Sequence, residues 1–177
     1  MTDELQDIVM SIRMVPIGAT FYSMQRIVRD MCKKLGKEVE LVITGEETEV
    51  DKNIIETISD PLVHLIRNSI DHGIEDPQTR REWGKPVSGR IFLEARNDGG
   101  DVWITVRDDG RGLNREAILK KARENGLVAK DDKELSDAEV WKFILTPGFS
   151  TKKDVSQYSG RGVGMDVVIR NIEKTGG

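Results

Sequence analysis

The sequence predicts an α/β fold, and three observations carry that prediction. Residues 89–108 read as a β-hairpin, with alternating apolar positions on both arms and a turn at Asn97-Asp98-Gly99-Gly100. Residues 60–73 read as one amphipathic helix, and Asn114 and Ser136 each open a further capped helix. Residues 38–44 add a short alternating strand, so strands and helices interleave along the chain.

Composition narrows the function classes. The 177 residues are 33% charged and 37% hydrophobic, with a net charge of −4, so no basic face for nucleic acid is expected. One cysteine, Cys32, and two histidines, His64 and His72, leave no disulfide framework and no Cys/His zinc site. That usage points to a reducing, cytoplasmic setting. No apolar run approaches the roughly 20 residues of a membrane span. The first residues lack the basic and apolar regions of a signal peptide.

Taken in order, residues 3–35 keep helical spacing through Leu5, Ile8, Val9, Ile12 and Val15. Pro16 and Gly18 break it, and Phe21, Met24, Ile27, Val28, Met31 and Leu35 resume it, with Gly36 as the stop. The second half is expected to pack on its own domain. The first half fits that role and half of a bundle or dimer seam equally well. In residues 38–44, Val39, Leu41 and Ile43 share one side.

Residues 51–58 begin a helix that Pro61 is expected to interrupt. Ser59 or Asp60 is placed to cap its successor, which runs to Gly73. Residues 75–89 read as a surface loop with room for one helical turn. In the hairpin, Ile91, Leu93 and Ala95 share one face of the first arm, and Val102, Ile104 and Val106 one face of the second. The same parity carries Asp108 to the core side and Asp109 to the other. A core-facing carboxylate is costly unless paired, which singles out Asp108. Gly126 closes the helix that Asn114 opens. The capping box Ser136-Asp137-Ala138-Glu139 starts another that ends near Leu145. Residues 146–164 are glycine-rich and expected to move, and residues 165–175 return to helix.

Three motifs carry chemistry. On the helix of residues 60–73, His64, Arg67, Asn68, Asp71 and His72 fall on one arc at a helical period. A solvated face normally carries Lys and Glu, whereas these groups coordinate and hydrogen-bond; a satisfied polar seam is the plain alternative. Asn68 offers a neutral hard oxygen of the kind magnesium takes alongside phosphate and water. Asp108-Asp109-Gly110-Arg111-Gly112 follows a strand. Its carboxylate suits an exocyclic amine such as adenine N6, and its glycines let backbone lie near a flat ring, although an ordinary Asp-Gly turn has the same sequence. Gly160-Arg161-Gly162-Val163-Gly164 opens a helix, where successive amides and the helix N-terminus favour phosphate. It matches neither the Walker loop nor the dinucleotide fingerprint.

In this order the motifs resemble the ATP-binding domain shared by histidine kinases, type II topoisomerases, Hsp90 and MutL. Asn68 falls in the first box, Asp108, Gly110 and Gly112 in the second, Phe149 in the phenylalanine motif, and Gly160, Gly162 and Gly164 in the last. Residues 64–75, 147–151 and 159–168 further resemble the CheA family of chemotaxis histidine kinases. Residues 10–16 resemble the end of that family's dimerisation helix and its junction to the kinase domain.

The resemblance implies a two-layer sandwich, a mixed β-sheet with helices on one face. It implies residues 1–35 as dimerisation helix and junction, and residues 36–177 as the ATP-binding domain. ATP and Mg2+ are the implied cofactors, with Asn68 the metal ligand and His64 beside it as the catalytic pair. Asp108 is assigned to adenine N6, with Gly110 and Gly112 along the ring. Asp71 and His72 line the phosphate end, and Lys121 is within reach of a phosphate. Phe149, Ser150 and Thr151 lead into a lid at about residues 150–161, and the amides of Gly160, Arg161, Gly162, Val163 and Gly164 hold phosphate beneath it.

With both histidines in the pocket, the implied phosphoacceptor histidine lies on a separate domain. A coupling protein, chemoreceptors and a homodimer are the partners implied for the longer kinase. Related ATP hydrolases typically carry Glu where this chain has His64, which makes water activation less expected. A non-catalytic nucleotide-binding or dimerising module is the alternative reading. Related domains continue with two more strands, so an incomplete sheet with an exposed edge is expected.

Overall fold

The computed structural model of the chain describes residues 13–129, 134–147, 149, 169–170, 172–173 and 176. Ser150, Thr151 and the whole Gly160-Arg161-Gly162-Val163-Gly164 loop lie outside these residues, as do residues 1–12 of the expected dimerisation helix. The chain divides into two compact units, Met1–Arg111 and Gly112–Gly177.

The first unit holds the sheet. Strands β2 (Val39–Thr44), β4 (Gly89–Asp98) and β5 (Asp101–Asp108) lie in the order β2-β4-β5. β2 runs parallel to β4, with Val39 opposite Gly89, and β4 runs antiparallel to β5, with Ile91 opposite Asp108. The sheet is therefore mixed, as expected. Its hairpin turns on Gly99 and Gly100, both at positive φ (60° and 86°), which suits the primed two-residue turns whose twist matches the flanking strands. β5 is bonded to β4 alone among the described residues.

Two helices cover one face of this sheet. Helix α1 (Gly18–Leu35) buries Phe21, Met24, Val28 and Met31 and packs on β2. Its inward apolar stripe bears out the expectation that this half of the N-terminal pattern belongs to its own domain. Helix α2 (Lys52–Asn68) buries Ile55, Ile58, Leu62 and Ile66 and packs on α1 and β5. Ile91, Leu93 and Ala95 meet them from β4. The opposite face stays polar: Arg107 stacks 4.4 Å over Phe92, and Arg96 5.2 Å over the half-exposed Trp103.

Several sequence expectations need correction here. Pro61 does not interrupt the helix: α2 runs unbroken through it, and the cap is Asp51, whose side chain accepts from the Asn53 amide at 2.9 Å. Ser59 instead donates back to the Ile55 carbonyl at 2.7 Å. The burial of Pro61 and Leu62 in the core outweighs the lost backbone hydrogen bond. Val15 is not helical either. It lies in a short strand, β1 (Met14–Pro16), antiparallel to a second, β3 (Glu49–Asp51), and Arg13 pairs with Asp51 at 3.0 Å. Three-residue strands are too short for alternation to reveal them.

The stretch between α2 and β4 departs most from expectation. It contains helix α3 (Pro77–Glu82), capped by Asp76 through the Thr79 amide at 2.8 Å. The loop also carries buried charge. Glu75 and Arg80 are each only 1% exposed and pair at 3.2 Å. Arg80 also donates to Asp109 Oδ2 at 3.3 Å and to the Pro86 carbonyl at 2.6 Å, and Lys85 Nζ meets Glu75 Oε2 at 2.8 Å. Two carboxylates and two cations make the cluster neutral, which is what permits its burial.

The second unit is built on helix α4 (Arg115–Glu124) and helix α5 (Asp137–Lys142), followed by a 3-10 turn, Phe143–Leu145. Asn114 caps α4 and Ser136 opens α5 with a full capping box, both as the sequence predicts. Ile118, Ala122, Val140 and Phe149 form its core. The described residues 169–170 and 172–173 are helical.

The cluster around Glu75 makes stability depend on pH. Burial alone would raise the Glu75 carboxyl, but the Lys85 hydrogen bond and the charges of Lys85 and Arg80 hold it below its ordinary value of 4.5. A lowered carboxyl contributes stability that is complete above the unfolded value and lost as pH falls through the folded one. Glu75→Gln is therefore expected to destabilise the fold at neutral pH, by less than the about 3–5 kcal/mol of a buried charge left unpaired, because Arg80 keeps Asp109. It should also flatten the acid limb of stability. Urea unfolding of both proteins across the acid range checks this; parallel pH profiles would refute it.

Candidate functional site

The polar arc of the central helix is real but not continuous. His64 and Asn68 are half-buried near the end of α2, while Arg67 is exposed. Beyond Asn68 the chain leaves the α-helix for a π-turn, Ser69–Gly73, closed by the Ile74 amide on the Ser69 carbonyl at 2.7 Å. The wider i→i+5 turn shifts Asp71 and His72 off the arc that a uniform period drew for them. Gly73 ends the helical run as expected, but in this wider form. Asp71 and His72 stay together, with Oδ2 3.5 Å from Nε2.

Lys37 holds this π-turn in place. Its Nζ donates to the Ile70 carbonyl at 2.7 Å and to the Asp71 carbonyl at 3.0 Å. A cation on the last carbonyls of a helix satisfies their lone pairs and opposes the negative end of the helix dipole. Ile70 and Ile74 fill the core beneath it.

The Asp108 turn locks onto the π-turn through backbone. The Arg111 amide donates to the Gly73 carbonyl at 2.8 Å. Gly110 lies so close that a Cβ there would sit 2.1 Å from the Gly73 oxygen, a contact no side chain tolerates. A Cβ on Gly73 would in turn come within 3.3 Å of both Asp108 carboxylate oxygens. The Gly110 amide donates to Asp108 Oδ1 at 2.9 Å, which orients the carboxylate. Asp108, Gly110, Asp71 and His72 are thus gathered by one interlocked pair of turns.

Asp109 does a different job. Its Oδ1 accepts from the Arg90 amide at 2.8 Å and its Oδ2 from Arg80, so it ties the turn to β4 and α3. Asp108 ends β5 opposite the buried Ile91, on the core side where strand parity puts it, whereas Asp109 lies past the last strand residue.

In the second unit, Gly112 has φ of 73°, the left-handed region that favours glycine. Lys121 is half-buried on α4. Phe149 is buried against Ile118, Ala122 and Val140, and its amide donates to the Thr146 carbonyl at 3.0 Å.

The donor set suits the groups the motifs point to. Among the described residues no cluster of three or more His, Cys, Asp or Glu is placed to hold a metal ion. A single neutral amide oxygen, Asn68, fits a magnesium ion that keeps its waters and takes its remaining ligands from phosphate. An Asp108 carboxylate oriented by its own turn fits an amine donor. Lys37, Glu75, Arg80 and Lys85 were not expected at the site. Each lay in a segment read as loop or solvated surface.

Comparisons with known proteins identify the family. Residues 57–177 match the family described as Histidine kinase-, DNA gyrase B-, and HSP90-like ATPase. The chain is 55% identical over 174 residues to the chemotaxis protein CheA of Klebsiella aerogenes, covering 98% of this chain and 26% of that protein. It is 50% identical over 175 residues to CheA of Bacillus subtilis, covering 98% and 26%. With the sensor histidine kinase CheAY of Helicobacter pylori it shares 51% over 177 residues, covering 99% and 22%. The chain thus spans about a quarter of the length of these relatives. More than half of the chain matches the family model, so it belongs to the histidine kinase-, DNA gyrase B- and HSP90-like ATPase family.

Proposed function

We propose that the chain is the ATP-binding catalytic domain of a CheA-like histidine kinase, passing the γ-phosphoryl of Mg-ATP to a histidine on a separate phosphotransfer domain. The observation that supports this most is the lock between the π-turn and the Asp108 turn, which presents an oriented carboxylate beside the helix end that carries Asn68. The 50–55% identity to CheA proteins across nearly the whole chain supports the same reading.

In this reading each side chain has a limited task. Asp108 accepts from the adenine amine, and Gly110 and Gly112 leave the ring face clear of side chains. Asn68 holds Mg2+, while His64, Asp71 and His72 face the phosphate end. Lys121 and the Ser150, Thr151, Gly160, Arg161, Gly162, Val163 and Gly164 positions complete the phosphate contacts, with Phe149 directly before Ser150 and Thr151 in the same motif. Bound Mg-ATP supplies the phosphoryl group, and the protein's part is positioning and charge neutralisation. Neutral imidazole is already a competent nucleophile, so no covalent enzyme intermediate is needed.

Residues 1–35 serve here as the end of a dimerisation helix and its junction to the kinase domain, and residues 36–177 as the nucleotide-binding domain. A coupling protein, chemoreceptors and a cytoplasmic homodimer follow for the longer kinase. No described helix is long and apolar enough to cross a membrane.

The chain with labelled ATP, magnesium and a separate CheA-type phosphoacceptor domain is expected to label that domain's histidine and not itself. Nucleotide binding with no transfer to a matched acceptor would instead leave a non-catalytic module. Asp108→Asn is expected to weaken adenine-nucleotide binding by about 1.5–3 kcal/mol, the range for a hydrogen bond to a charged group. An unchanged affinity in a folded variant would move adenine recognition elsewhere. Asn68→Asp should change the magnesium dependence of nucleotide binding. Titrations that overlay the parent's would remove Asn68 as the ligand.

A further inference from the structure

We infer that Lys85 is a positioning residue for adenine recognition, acting through the backbone of the Asp108 turn; the inference rests on the reading of Asp108 given above. An ammonium group has three hydrogens to donate and no acceptor. Lys85 Nζ has three oxygens within reach: Glu75 Oε2 at 2.8 Å, the Gly110 carbonyl at 3.0 Å and the Asp109 carbonyl at 3.2 Å. All three donors are used, and two of the acceptors are successive carbonyls of the turn that carries Asp108.

The third acceptor makes the clamp rigid. Glu75 is buried and held on its other oxygen by Arg80, itself buried and bonded to Pro86 and Asp109. Lys85 is tethered in the same segment, its amide bonded to the Arg80 carbonyl at 2.8 Å. The chain of contacts then runs from Glu75 to Lys85 and on to the Asp109 and Gly110 carbonyls. From there it reaches the Gly110 amide and Asp108 Oδ1. Fixing the two carbonyls fixes the peptide plane whose amide orients the carboxylate. A small tilt of that plane would leave Asp108 in place but misaim it, and charge-assisted hydrogen bonds are sensitive to alignment.

Neither Trp83 nor the exposed surface around it explains this arrangement. Lys85 Nζ lies 5.6 Å from the Trp83 ring, but the ring is 57% exposed and offers no comparable constraint. A purely solvated lysine would not place all three donors on converging acceptors.

The test is a double-mutant cycle between Lys85 and Asp108, read as ADP affinity by calorimetry in the presence of magnesium, with melting temperatures for every variant. Lys85→Met is expected to weaken ADP binding about tenfold in the parent and less than about twofold in Asp108→Asn, because coupled residues are not additive. Lys85→Arg provides the control for folding. It keeps a cation beside Glu75, yet its planar fork does not reproduce three converging donors. It is expected to melt with the parent while still binding ADP more weakly.

Parent-like affinity in both Lys85 variants would overturn the inference. So would an equal loss in the Asp108→Asn background, the pattern of a merely structural residue. An Asp108→Asn variant that binds ADP like the parent would overturn the adenine reading itself, a result distinct from either.

Discussion

The pairing of Glu75 with Arg80 is the constraint on which the rest of the first unit depends. Neither side chain could be buried alone, because an isolated charge in an apolar interior costs far more than any contact there returns. Buried together they join α3 to the segment that follows the π-turn, and through Asp109 they draw in the end of β5. The loop between α2 and β4 is thereby converted from a connection into a bracket. Lys85 completes the charge balance, and its contacts reach the turn backbone.

Two neighbouring aspartates divide structure from recognition. Asp109 is committed to the Arg90 amide and Arg80, one hydrogen bond on each carboxylate oxygen. Asp108 is bonded only to the amide within its own turn among the hydrogen bonds described, which orients it without consuming it. The division comes from their places in the chain: Asp108 is the last residue of β5, opposite the buried Ile91, whereas Asp109 follows the strand and turns back to the Arg90 amide.

Much of this was legible in the sequence, for reasons that differ by element. The β4–β5 hairpin, the Asp108 parity and the Asn114 and Ser136 caps rest on local rules of period and capping, and local rules survive folding. Pro61 and Val15 were misread because tertiary packing overrode them: core burial carried α2 through a proline, and pairing with β3 drew Val15 into a strand. Glu75, Arg80 and Lys85 looked like loop charges because nothing in a sequence window shows that Asp109, far along the chain, will close their cluster. Asn68 and His64 were legible as an unusual polar face, whereas Lys37 was hidden by its distance from the carbonyls it caps. The Gly160–Gly164 loop was read as a motif and lies outside the described residues.

The π-turn at Ser69–Gly73 also sets how the chain tolerates changes in length. A π-turn is an α-helix carrying one residue more than its period allows. Losing any one residue there would restore uniform i→i+4 bonding, turning everything downstream by about 100° and shortening the path by about 1.5 Å. The Gly73 carbonyl would then leave the Arg111 amide, and the carbonyls of Ile70 and Asp71 would leave Lys37. The residue count of this segment is therefore not free to vary. Insertions and deletions are better accommodated at the exposed Gly99-Gly100 turn, where an added Cβ meets nothing.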